Sequence, residues 1–135
     1  MTRDRLGRRV APGHPDAVPD VCEVALPPAD ALALAQELLD GGRAFGAHEV
    51  LEASWKAAPA GEREFWQGLA QLCVGITHVQ RGNAVGGARL LRRGAGLLPA
   101  RPPYGLDPGL VAWALAAADR VDAGDPAPPV LRLRP

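Results

Sequence analysis

The residues with the strongest claim to chemistry sit close together: His48, Glu49 and Glu52, followed by Trp55. Positions four apart on a helix share a face, so His48 and Glu52 point the same way, while Glu49 turns further toward solvent near Lys56. An imidazole and a carboxylate so placed can hold one divalent metal ion if another helix supplies a third ligand, and His78 is the candidate. Metal-assisted hydrolysis would then use His48, Glu52 and His78 as ligands and Glu49 as base. A second account needs no ion. A partly buried carboxylate needs a partner. Glu52 would accept from the amide of Gln67 or Gln71, or from the indole of Trp55 or Trp66, and His48 would bond to Gln71. Such a network fixes the register of two apolar helices, and the protein is then a non-catalytic binding or interaction module. Acid–base catalysis is the third reading and requires an open pocket.

These side chains need two helices to position them. Residues 65–80 contain no Asp, Glu, Lys or Arg, and a helix without a charged face is enclosed by neighbours on most sides. Phe65, Leu69, Leu72, Cys73, Ile76 and Val79 fall on one broad face at about 100° per residue. Gly68 and Gly75 lie beside it, where another helix can approach closely, and Gln67, Gln71 and His78 form a polar line opposite. The preceding helix, about 44–58, puts Ala44, Ala47, Leu51 and Trp55 on its inward stripe, with His48 at the edge. If the two turn back on each other at Pro59-Ala60-Gly61, His48 lies level with Leu72 and Glu52 with Gly68. His78 is then offset along the axis by about 9 Å at 1.5 Å per residue, so a shared ion is stretched.

The rest of the chain is a scaffold for that pair. With 135 residues, 47% hydrophobic and 22% charged, it has the composition of one globular domain. Of 14 prolines, only Pro59 lies between Ala29 and Leu98, which puts the helical core there and looser segments at both ends. Further helices are expected at about 28–40, ended by Gly41-Gly42, and at about 84–98, started by Asn83 after Gly82. A fifth is expected to start at Asp107-Pro108, the Asp as cap and the Pro in the first turn, and to end near Ala123. The helix at 84–98 carries Gly86, Gly87, Gly94 and Gly96, each worth up to about 1 kcal/mol less than alanine, so packing must hold it. No convincing strand alternation occurs. The fold class expected is all-α, a compact bundle of four to five helices over residues 28–123, with an extended N-terminal arm (1–27) and a Pro-rich C-terminal tail (124–135).

Net charge is zero and favours neither nucleic acid nor membrane. Charge is nevertheless segregated: residues 65–106 hold Arg81, Arg89, Arg92, Arg93 and Arg101 and no acid, while 107–125 hold four Asp and one Arg. Arg81, Arg89, Arg92 and Arg93 form a candidate phosphate or RNA patch, without the interleaved aromatics that single-strand binding favours. Cys22 and Cys73 match no metal or redox spacing and read as reduced thiols. With no secretory leader behind the basic first residues and no apolar run of about 18 residues, a cytoplasmic protein without a membrane partner is expected. The partner classes left open are protein and, through the Arg patch, nucleic acid.

The run Phe45-Gly46-Ala47-His48-Glu49-Val50-Leu51-Glu52 with Trp55, then Phe65-Trp66-Gln67-Gly68-Leu69-Ala70-Gln71-Leu72, His78 and Arg81-Gly82-Asn83 resembles the bacterial domain-of-unknown-function family numbered 309. The likeness covers about residues 28–98. It implies a small helical bundle and supplies no reaction. His48-Glu49-x-x-Glu52 is also similar to the zinc-protease helix motif with its second His replaced by Glu, a pattern that chance produces often.

Overall fold

The computed structural model describes residues 2–21 and 24–133. Among these residues five α-helices carry the fold: α1 (Pro28–Asp40), α2 (Ala44–Ala57), α3 (Arg63–Gln80), α4 (Ala84–Leu97) and α5 (Leu110–Asp122). Each packs chiefly on its neighbour in sequence. The class is all-α, as the periodicity predicts. The Gly41-Gly42 pair ends α1, with Gly42 at φ 76°, and Gly82 at φ 81° separates α3 from α4. A left-handed turn of this kind suits glycine because it has no Cβ. Asn83 then caps α4, its Oδ1 accepting the Gly86 amide at 3.0 Å.

The glycines of α3 and α4 face one another. A Cβ on Gly94 would stand 2.8 Å from the Gly68 carbonyl oxygen, and one on Gly87 would stand 3.0 Å from that of Gly75. The helices therefore meet backbone to backbone at two levels, where any side chain would push them apart. Leu72 and Leu91, both fully buried, close the space around these contacts. The glycine content that weakens α4 in isolation is what lets it pack on α3.

The segments outside the helices are built on. Two short strands, β1 (Arg3–Asp4) and β2 (Ala17–Val18), pair antiparallel; apolar alternation does not announce them because turn chemistry sets them. Asp4 Oδ1 accepts the amides of Leu6 at 3.0 Å and Arg8 at 2.9 Å, and Gly7, at φ 79°, lies against the Phe45 ring. The arm is fixed to the bundle by Arg81 Nε donating to the Leu6 carbonyl at 2.8 Å and by an Arg43 guanidinium nitrogen donating to that of Pro19 at 2.7 Å. At the other end Leu131 and Leu133 are buried. The start of α5 differs from expectation: Asp107 Oδ1 accepts the Gly109 amide at 2.7 Å, so Asp107-Pro108 forms a turn outside the helix and Gly109 stands at its cap. Cys22 lies outside the described residues. The thiol of Cys73 is fully enclosed and burial pushes it up to about 12, so it has no thiolate character at neutral pH.

Candidate functional site

The polar residues of α2 form a ladder along one edge of that helix. His48 Nε2 lies 2.8 Å from Glu52 Oε2, and Lys56 Nζ lies 2.7 Å from Glu52 Oε1. Each rung spans four residues, which is why the sequence reveals the ladder. The His48 side chain is 19% exposed and that of Glu52 32%. Burial pulls the His48 imidazole below its ordinary range, against the opposing pull of Glu52. At neutral pH it is therefore uncharged, with Nε2–H donating to the carboxylate. Glu52 is held below the usual carboxylate range, first by the Lys56 hydrogen bond and, against burial, by His48.

That assignment leaves Nδ1 as the ring nitrogen with a lone pair. Among the described residues it makes no hydrogen bond of ordinary geometry, the backbone of Phe45 being the polar group that acts on the ring from that side, and it is shut away from solvent. A general base or a metal ligand must present its lone pair to the reacting group or ion. Here the lone pair faces the protein interior, and the Phe45 ring lies 5.3 Å from the imidazole between centroids.

The edge that carries the ladder faces the N-terminal arm. Arg3, Phe45, His48, Glu49, Glu52, Ala53 and Lys56 line a cavity of about 270 Å³. A second cavity of about 430 Å³ shares Arg3, Phe45 and Glu49 and extends to Arg5, Asp20 and Arg43. The Arg3 guanidinium sits 5.0 Å from the centre of the Phe45 ring and that of Arg81 sits 5.9 Å from it. Arginine over an aromatic face is attractive, so the ring ties the arm, α2 and the end of α3 together. Arg3, Arg5, Arg43 and Phe45 are absent from the sequence-derived candidates. Phe45 lies inside the run that carries the family resemblance, whereas nothing in a short basic leader says which helix it meets.

Other expected partnerships take different forms. Trp66 donates its indole N–H to Glu62 Oε1 at 3.2 Å, and the Tyr104 hydroxyl donates to the same oxygen, so the carboxylate serving that indole is Glu62 and not Glu52. Trp55 packs against the core. Gln67 and Gln71 are half-buried, and among the described residues neither is hydrogen-bonded to His48 or Glu52. His78 Nδ1 lies 3.0 Å from Asn83 Nδ2, which makes it an acceptor from the residue that caps α4. Burial, with Arg81 and Arg89 nearby, lowers its proton affinity. Among the described residues no three His, Cys, Asp or Glu side chains converge to hold a metal ion, so His78 does not join His48 and Glu52.

The arginine patch is also divided. Arg81 is tied to the arm. Arg92 bridges to α5, with one guanidinium nitrogen 3.0 Å from Asp119 Oδ1 and 2.6 Å from Asp122 Oδ2. Only Arg89 and Arg93 of the four stand exposed without such a tie among the described residues. The segregation of basic α4 from acidic α5 is thus an ion-paired helix contact.

A small all-α domain with a braced histidine–carboxylate edge is the class that fold and site define. Residues 32–90 match the family model described as Domain of unknown function (DUF309). The match takes in most of α1, all of α2 and α3 and the first half of α4, and leaves out the arm, α5 and the tail. The chain is also similar to the "Uncharacterized protein YpuF" of Bacillus subtilis (strain 168), at 37% identity over 70 residues, covering 48% of this chain and 40% of the relative. The chain thus spans well under two thirds of that relative's length. No solved structure gives a significant match. Among the described residues no helix is long and apolar enough to cross a membrane.

Proposed function

We propose that the protein is a non-catalytic binding module whose binding surface is the groove between the N-terminal arm and α2. The observation that carries this reading is the orientation of His48: one ring nitrogen is committed to Glu52 and the other is enclosed. The imidazole is then a brace that sets the carboxylate, and Glu52 with Lys56 forms the presented pair. The groove alternates charge, with Arg3, Arg5, Arg43 and Lys56 against Asp4, Asp20, Glu49 and Glu52. It suits a partner that carries both signs, such as a polar stretch of polypeptide, better than a polyanion.

Amide chemical shifts of the labelled chain, titrated with short peptides of mixed charge, test the reading. Binding should move Phe45, Glu49 and Glu52 together and weaken in Glu52→Gln. Perturbations confined to another face, or affinity unchanged in that variant, would contradict it. Metal content separates the alternative: the untagged protein should carry no stoichiometric zinc or manganese, and His48→Ala should lower thermal stability without altering metal content. Stoichiometric metal lost in that variant would favour the hydrolase reading instead.

A further inference from the structure

Of the three buried polar residues among the described ones, Gln36, Ser54 and Thr77, two bond locally. Ser54 and Thr77 donate to the carbonyls of Val50 and Cys73, four residues back. Gln36, on α1, bonds to the far end of the chain. Its Oε1 accepts the Leu133 amide at 2.5 Å and its Nε2 donates to the Leu131 carbonyl at 3.3 Å, with a second Nε2 bond to Asp40 Oδ1 at 2.8 Å. One carboxamide thus reads the N–H and C=O of residues two apart, as a neighbouring strand would read an extended peptide.

The side chains follow the same period. Leu131 and Leu133 are 3% and 2% exposed, whereas Val130 is 67% exposed. On the outward side Val130 and Arg132 border an open cavity of about 520 Å³ with Leu106, Leu110 and Trp113 at the α5 start. The segment joining this grip to α5, residues 122–128, is exposed throughout. The tail is held by two leucines and a main-chain-reading amide at the end of an exposed, Pro-rich leash. The seated segment covers the carboxamide to 2% exposure and at the same time supplies a donor to its oxygen and an acceptor to its N–H, the exchange of water for main chain that a cleft for an extended segment makes.

We propose that the cleft between α1 and the start of α5 is a binding site for an extended Leu-x-Leu segment, filled in cis by the chain's own tail and in trans by the tail of a second copy. The second copy is the source because residues 131–133 are the sequence that fits the cleft. Exchange of an identical element between copies needs no new contact surface.

The probe is a labelled peptide of residues 126–133, added to the full chain carrying Leu131→Asp and Leu133→Asp, whose own tail cannot seat. It should bind at one per chain, and adding Gln36→Leu should weaken it roughly tenfold, the effect of losing about one hydrogen bond's worth of free energy. The unmodified chain should bind it at least about tenfold more weakly, because its own tail competes at high effective concentration. At millimolar concentration the unmodified chain should form dimers that the double variant does not. A variant that keeps its helical circular dichroism and fails to bind the peptide overturns the proposal. A strictly monomeric unmodified chain overturns the second copy as source. Should the variant lose its helices, hydrogen exchange of the unmodified chain decides. A Leu133 amide exchanging far faster than those of α3 supports a detachable tail, and one exchanging only at the α3 rate shows a permanent part of the core.

Discussion

The contact of α3 with α4 and the edge of α2 facing the arm are two solutions to the same problem, a helix that must be held by something other than propensity. At the first, side chains are missing: Gly68 meets Gly94, Gly75 meets Gly87, and nothing polar is needed between them. At the second, side chains are long and charged, and His48, Glu52 and Lys56 hold one another. The dry contact fixes the fold and leaves no room for a ligand. The wet one leaves open space on its outer side, and space of that kind is where binding happens.

Adding one methyl group at the glycine contact should have the largest effect. Gly94→Ala puts a Cβ against the Gly68 carbonyl and should lower the unfolding free energy by about 2–3 kcal/mol, read as a lower urea midpoint. If the midpoint is unchanged, the close approach is not what holds α4. At the polar edge His48→Ala should cost about 1–2 kcal/mol, with the binding titration altered in parallel.

The same histidine gives a pH signature. Its folded form resists protonation below the ordinary value of 6.5, so the unfolded chain takes up a proton that the folded chain refuses. The stability tied to the neutral ring is fully present above pH 6.5 and falls as the pH drops toward the lowered folded value. His78 is shifted in the same direction, so the informative quantity is a difference. Between about pH 6.5 and 5.5, stability should fall less steeply in His48→Gln than in the unmodified chain, and equal slopes would mean that His48 is not the group enclosed.

A smaller effect of opposite sign sharpens the glycine comparison. A Cβ on Gly96 meets nothing within 4 Å, so Gly96→Ala should stabilise by up to about 1 kcal/mol through propensity alone. The smallest effect is expected at Arg92→Ala, whose ion pairs are exposed. Its melting temperature should drop slightly at low salt and coincide with the unmodified chain's at high salt.

The sequence made the helices legible because caps and breakers mark their ends. Gly41-Gly42, Gly82-Asn83 and the proline-free run between Ala29 and Leu98 needed no tertiary information. The start of α5 is less legible, because an Asp-Pro pair serves a turn as well as a cap, and the side chain of Asp107 takes the turn. The His48–Glu52 rung was legible because both ends lie on one helix. Its setting was not, since periodicity says which face a residue occupies but not which neighbour covers it. The edge expected to meet Gln67 and Gln71 of α3 borders Arg3 and the arm. Gln36 and the tail escaped notice for a related reason: two leucines beyond a run of prolines carry no periodicity, and a glutamine on an apolar stripe gives no sign of a partner some 95 residues away.

The most direct measurement of the histidine brace is the nitrogen spectrum of the His48 ring in labelled protein at pH 7, recorded with and without added zinc. A neutral ring protonated on Nε2, unmoved by zinc and with the Glu52 carboxylate ionised, is the predicted result. A ring whose Nδ1 resonance shifts on zinc addition together with that of His78 would contradict it and return both histidines to one metal site.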